Sequence, residues 1–132
     1  MPRKRHLARI AVMQVLFERE SRADLDTAES LERNAEELGD IDEVFAENLM
    51  NGTIKHEQDL KEVIQKNAPD WSLDRMDPIA RSMLLVGAYE LLHGDDAPPA
   101  VVMNEAIEIA KEYGSGESGK FVNGVLNAIA HR

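Results

Sequence analysis

The 132-residue sequence predicts an all-α fold, and three observations carry the prediction. Apolar residues recur with a period near 3.6 in every strongly patterned segment. Ala, Leu, Glu, Lys and Met dominate, aromatic residues make up only 5%, and β-branched runs are few, which is the balance of a helix-forming chain. Glycine and proline breaks separate the segments, at Gly39, at Pro69, from Gly94 to the prolines 98 and 99, and at Gly114 and Gly116; these are residues that end or restart helices. Together they predict about six or seven helices.

The elements follow in order. Residues 7 to about 22 form the first helix, with Leu7, Ile10, Ala11, Gln14, Val15 and Phe17 on a broad buried face. Arg9 is expected to project from it, and Arg3, Lys4 and Arg5 to precede it. Residues 24 to 38 form a second, more charged helix stopped by Gly39. Asp40 and Glu43 have the spacing of a capping box for a third helix. That helix is expected to run unbroken over about 41–67, through Ile41, Phe45, Leu49, Gly52, Leu60, Val63 and Ile64. Gly52 costs roughly 1 kcal/mol relative to Ala there, so it marks a close crossing or a bend.

Pro69 stops that helix, Trp71 follows, and Ser72 is placed to cap a short turn through Asp74 and Arg75. Asp77 and Pro78 then supply an N-cap and a first-turn proline. The helix they open runs to about His93 and buries Ile79, Met83, Val86 and the edge from Tyr89 to Leu92. After a loop over 94–99, a helix over about 100–113 turns Val101, Val102, Ala106, Ile109 and Ala110 inward. A last helix from about Ser118 buries Phe121, Val122, Val125, Leu126 and Ile129. Met13, Met50, Met76, Met83 and Met103 fall mostly on core-like positions, as gap fillers. The break at 68–71 divides the helices into an N-terminal group, about 1–68, and a C-terminal group, about 69–132. Two packed subdomains of one domain are expected at this length.

Charge is distributed unevenly. The first seventeen residues, MPRKRHLARIAVMQVLF, hold Arg3, Lys4, Arg5 and Arg9 and no acid, whereas the whole chain carries −10. A basic end on an acidic body can grip a polyanion while the body limits indiscriminate binding. A solubilising, unstructured tail is the plainer alternative. Cysteine is absent, which excludes disulfides, thiolate metal sites and cysteine catalysis. No apolar run approaches the eighteen residues of a membrane span. The stretch from Ile10 to Phe17 is broken by Gln14 and leads into Glu18, so no signal peptide is read. A cytoplasmic protein is the simplest expectation.

No catalytic constellation emerges. The stretch Gly114 to Lys120 satisfies G-x-x-x-x-G-K, but Phe121 stands where a Ser or Thr should hold magnesium, and a helix rather than a strand precedes it. Nucleotide hydrolysis is rejected on both counts. Lys120 and Phe121 instead open a helix whose first amides favour phosphate. A cation beside an aromatic suits single-stranded RNA, although by burial tendency Phe121 is more often a core residue than a stacking platform. His6, His56, His93 and His131 are scattered without ligand spacing, so neither a metal site nor a cofactor is expected. Glu36, Glu37, Glu105, Glu108 and Glu112 read as solvated helix faces. The residues point to a binding protein, and they leave an acidic helical dimer or scaffold acting only on proteins as the alternative.

Several blocks together resemble one family, the NusB transcription antitermination factors. The N-terminal block is Arg5, Ala8, Arg9, Ala11, Gln14, Leu16 and Phe17; the middle carries Asp70, Trp71, Arg81, Ala88, Tyr89, Glu90 and Leu91. The C-terminal blocks are the most specific: Val102, Asn104, Glu105, Ala106, Glu108, Ala110 and Lys111, then Ser118 to Leu126 with Lys120, Phe121, Asn123 and Gly124. The resemblance covers nearly the whole chain. It implies two packed three-helix-type bundles and a non-catalytic role in antitermination, chiefly of ribosomal RNA operons. It implies binding of boxA-type single-stranded RNA, pairing with the small-subunit ribosomal protein NusE, and action on elongating RNA polymerase with other Nus factors. The RNA-binding positions it implies are Arg5, Arg9, Gln14, Phe17, Glu117, Lys120 and Phe121, with Arg3 and Lys4 adding charge nearby. It places Arg81 on the surface for the protein partner, and it leaves open a homodimer. A similar helical domain precedes some RNA methyltransferases, but no glycine-rich cofactor unit occurs in these 132 residues.

Overall fold

Residues 2–94 and 97–131 are described in the computed structural model; Asp95 and Asp96 of the predicted 94–99 loop, with Met1 and Arg132, lie outside them. Seven α-helices form among the described residues: α1 Pro2–Ser21, α2 Thr27–Leu38, α3 Glu43–Lys55, α4 Glu57–Lys66, α5 Pro78–His93, α6 Pro99–Tyr113 and α7 Gly116–Ala130. A 3-10 turn, Leu73–Arg75, lies between α4 and α5. No strand occurs among the described residues, and no helix is long and apolar enough to cross a membrane.

Local chemistry sets the helix ends. Asp26 caps α2 by accepting from the Glu29 amide, and Asp77 caps α5 through Ile79 N at 3.1 Å, with Pro78 in the first turn. Ser115 and Ser118 form a reciprocal capping box that starts α7 at Gly116, two residues earlier than expected. Such caps satisfy amides that the helix itself cannot. At α3 the cap is Asp42, accepting from Phe45 N at 3.1 Å, rather than Asp40. Ser72 makes no side-chain cap bond. Gln65 holds that turn instead: its Oε1 accepts from Leu73 N at 3.0 Å, and its Nε2 donates to the Ala68 and Trp71 carbonyls.

Two elements differ from the sequence expectation. The basic N-terminus is no separate arm, because α1 is continuous from Pro2. The long third helix is two helices, α3 and α4, jointed at His56, which closes one and opens the other with φ −101° and ψ 14°. Packing explains the joint. His56 stacks on His93 at 4.3 Å between ring centroids, and Tyr89 lies against both histidines. Gly52, one turn earlier, is where Tyr89 crosses: a Cβ there would stand 2.2 Å from the Tyr89 ring. Contact with α5 has overridden a uniform helical period.

The core is organised around α5, which packs on α1, α3, α4, α6 and α7. Its buried residues run all round its axis, from Ala80 and Ser82 through Met83, Leu84, Leu85 and Val86 to Ala88 and Glu90, the signature of a central helix. Gly87 allows close approach, since a Cβ there would lie 2.8 Å from Leu126 of α7. Met13, Leu60, Ile64, Met83, Ile109 and Leu126 are fully buried. Each such side chain contributes about 1.5–3 kcal/mol by leaving water. Phe17 and Val101, expected to be buried, are 43% and 45% exposed.

Candidate nucleic-acid interface

A continuous α1 redistributes the basic residues. The helical period puts Arg5 and Arg9 one turn apart on one side and Arg3, Gln14 and Phe17 on the other. On the first side, Lys4 Nζ lies 3.3 Å from Asp40, and the Lys4 carbonyl accepts from Asp42 N at 3.2 Å. Arg5 Nε lies 3.6 Å from Asp42, and its guanidinium sits 4.6 Å from the Phe45 ring centroid. The acidic connection between α2 and α3 therefore lies directly against the cations.

Arg9 does not project; it is 3% exposed. Its Nε and Nη2 donate to the two oxygens of Glu90 at 2.6 and 2.9 Å, and Nη1 donates to Glu105 at 2.8 Å. Its guanidinium also lies 5.0 Å from the Phe45 centroid. Burial disfavours the charge, but hydrogen bonds and attraction from Glu90 and Glu105 outweigh it and raise the Arg9 pKa. Glu105, read as solvated, is thus half-buried and paired. Its second oxygen lies 3.0 Å from His6 Nδ1. His6, Glu105 and Glu108 bring one ligand atom each within 4.8 Å of one another, but Arg9 and His6 already occupy both oxygens of Glu105.

The other side of α1 is open. Arg3 and Phe17 are exposed and Gln14 is half-buried. Arg3 lies close enough to Tyr113, at the end of α6, to favour its ionised form, although burial and Glu112 prevail and raise the Tyr113 pKa. Tyr113 immediately precedes the Gly114–Ser115 turn into α7.

A second surface forms where α7 begins. Glu117 and Lys120 are exposed and loosely paired at 3.8 Å. Half-buried Phe121 meets Trp71 nearly edge-on, with centroids 5.6 Å apart and planes at 68°. Both rings line a groove of about 500 Å³, together with Arg75, Met76, Ala80, Glu117 and Lys120. The Ser118 hydroxyl donates to Asp77, joining the starts of α5 and α7. Phe121 is therefore neither the core residue nor the free platform of the sequence alternatives, but one wall of a groove.

Arg81 stands apart from both surfaces. Its Nε and Nη2 donate to Glu20 at 2.7 and 2.6 Å, and its Nη1 donates to the carbonyls of Leu73 and Met76 at 2.6 and 2.8 Å. It ties the 3-10 turn to the end of α1, and the hydrogen bonds and charge of Glu20 raise its pKa further against the opposing effect of burial.

The family model described as the NusB family matches residues 5–131. The chain belongs to the NusB family. Transcription antitermination protein NusB of Desulfitobacterium hafniense is 42% identical over 130 residues, covering 95% of this chain and 86% of that protein. The solved T. maritima NusB superposes with a TM-score of 0.84 at 38% identity, covering 98% of this chain and 91% of that one. A NusB solved with NusE and double-stranded RNA superposes with a TM-score of 0.85 at 28% identity, covering 98% of both chains.

In this NusB-family chain the sequence reading missed Phe45, Trp71 and Arg75 as surface-building residues. Trp71 carried a usable signal, being the sole tryptophan and lying in a break between helices. Phe45 carried none, because its ring looked like any other apolar position of the third helix. Glu90 was hidden among the apolar residues of α5, where only a buried cation explains a carboxylate.

Proposed function

We propose that this chain is a non-catalytic RNA-binding transcription antitermination factor. It engages boxA-type single-stranded RNA together with NusE and supports elongating RNA polymerase, with other Nus factors, through ribosomal RNA operons in the cytoplasm. One observation carries the reading: the chain superposes over 98% of its length on a NusB that was solved with both NusE and RNA. The exposed cations support it. Arg3 and Lys120 face solvent, and Lys4 and Arg5 are partly exposed.

In this reading Arg3, Lys4, Arg5 and Lys120 supply attraction to phosphate, and Gln14, Phe17, Glu117 and Phe121 supply contacts to bases. Arg9 acts from inside, holding α1 against α5 and α6. Arg81 shapes the partner surface by fixing the 3-10 turn. The cations are few for an acidic chain, so NusE has to contribute much of the affinity.

The test is a titration of labelled boxA RNA, single-stranded and duplex, beside a scrambled single strand, each with and without purified NusE. Preference for single-stranded boxA, strengthened by NusE, is the expected result. With four phosphate contacts the log-log salt slope should be about −3. Equal affinity for boxA and scrambled RNA overturns the specific claim, and binding to NusE without any RNA leaves the protein-only scaffold.

A further inference from the structure

We propose that the groove lined by Trp71 and Phe121 is a nucleobase subsite. It takes one unpaired base of a single-stranded RNA against the Trp71 ring, while Arg75 and Lys120 meet the flanking phosphates. The inference rests on the RNA-binding reading above and adds a residue pair, Trp71 and Arg75, to which the family likeness gave no RNA-binding role.

The first argument is exposure held in a rigid frame. Trp71 is 53% exposed, although large aromatic side chains are ordinarily buried. Its position is nevertheless constrained from several directions. Phe121 meets it nearly edge-on. The Trp71 amide donates to the Ala68 carbonyl at 3.1 Å, and its own carbonyl accepts from Gln65. The next turn is held by Gln65 at Leu73 N and by Arg81 at the Leu73 and Met76 carbonyls. An exposed ring already fixed in place loses little freedom on stacking, which favours a flat ligand.

The second argument is the chemistry around the ring. Met76 and Ala80 give the groove a buried apolar floor. Its rim carries Arg75 and Lys120, both exposed. The two rim acids differ in availability. Asp77 is committed to Ile79 N and the Ser118 hydroxyl, whereas Glu117 is exposed and only loosely paired with Lys120 at 3.8 Å, so its carboxylate can still accept from N–H donors on a base edge. An apolar slot for a ring, two cations at its mouth and one exposed acceptor match the parts of a nucleotide. The pattern suits an apolar protein side chain less well, because a peptide gains nothing from paired cations around a single slot.

The third argument is charge placement. The chain carries −10 overall, so most of its surface repels a polyanion. Arg75 and Lys120 give the strand a second foothold beyond the basic start of α1.

Trp71 is the sole tryptophan, so its emission reports on the groove in the unmodified protein. The experiment follows tryptophan emission and the anisotropy of end-labelled single-stranded boxA RNA in one titration, then repeats it with NusE alone. Quenching with the same midpoint as the anisotropy change is expected. Trp71→Ala should weaken binding about 5- to 150-fold, the range for loss of one stacked base, and Trp71→Phe should weaken it less. Lys120→Ala and Arg75→Ala should each flatten the salt slope by about 0.7. Two results overturn the subsite and leave RNA binding standing: an anisotropy change with unaltered emission, or Trp71→Ala that keeps both its helicity and its RNA affinity. Emission that responds to NusE but not to RNA makes the groove a protein surface and also overturns it. If neither probe responds to RNA, with NusE present or absent, the RNA-binding reading fails first.

Discussion

The guanidinium of Arg9 meets the carboxylate of Glu90 at two points inside the molecule, Nε to Oε1 at 2.6 Å and Nη2 to Oε2 at 2.9 Å. A third bond at 2.8 Å runs to Glu105. These three bonds join α1 to α5 and to α6, the elements that flank the basic start of the chain. Removing two charges from water is expensive, so the pair stabilises little relative to a well-packed apolar substitute. Losing one partner is different, because the other charge is then buried alone.

Arg9→Ala should cost about 3–5 kcal/mol of unfolding free energy in urea melts, as for other broken buried pairs. Arg9→Lys keeps the charge but cannot reproduce the fork, and should cost about 1.5–3 kcal/mol, the worth of one lost charged hydrogen bond. RNA affinity of folded Arg9→Lys should stay near that of the parent. A large loss of affinity without loss of stability would place Arg9 at the RNA instead.

Lys4 and Arg5 are held by Asp40 and Asp42, 3.3 and 3.6 Å away. A phosphate must compete with those carboxylates. Asp40→Asn with Asp42→Asn removes the competition, and Asn preserves the N-cap of α3. Affinity for single-stranded RNA should rise, while the salt slope should stay near about −3, because Lys4 and Arg5 are already among the four phosphate contacts. An unchanged affinity would mean that these two cations do not meet phosphate.

Gly52→Ala places a methyl 2.2 Å from the Tyr89 ring. Helix propensity alone would stabilise by about 1 kcal/mol. Overpacking, at about 1–3 kcal/mol, should reverse the sign. In a Tyr89→Ala background the same change should be neutral or stabilising, and this non-additivity is read from a double-mutant cycle.

Glu18 gives a pH dependence. Its pKa is lowered from the ordinary 4.5, first by hydrogen bonding from Arg33 and then from Asn34 and Ser30, against the opposing effect of burial. A carboxylate whose folded pKa is depressed contributes fully above its unfolded pKa and loses that contribution as pH falls through the folded value. Stability should therefore decline on acidification below about pH 4.5, where the unfolded chain takes up the proton first. Glu18→Gln should be less stable than the parent near neutral pH and show a shallower acid limb in melts at graded pH.

Much of the fold was legible because its signals are local. Asp77 followed by Pro78, the stop at Gly39 and the break at Pro69 act over a few residues, and a reader of the chain meets them in order. The joint at His56 was not legible. Gly52, one turn earlier, hinted at a bend or a crossing but did not say which; the cause is the Tyr89 and His93 rings more than thirty residues away. The site was legible in the same uneven way. The excess of positive charge at the start is a fact of composition, and the Lys120–Phe121 step opening α7 is a fact of local order. Which cations reach solvent is neither.

The sequence by itself determined an all-helical chain, most of its helix ends, a basic start on an acidic body and the NusB likeness. Each of these depends on residue type and short-range spacing, which folding leaves intact. The tertiary structure alone decided that Arg9 is sunk between Glu90 and Glu105, that Lys4 and Arg5 lie beside Asp40 and Asp42, and that Trp71 meets Phe121 edge-on in the lining of one groove. Those relationships join residues tens of positions apart in the chain. Electrostatic and stacking energies depend on distance and solvent access, and only the packing of α1, α5, α6 and α7 sets either.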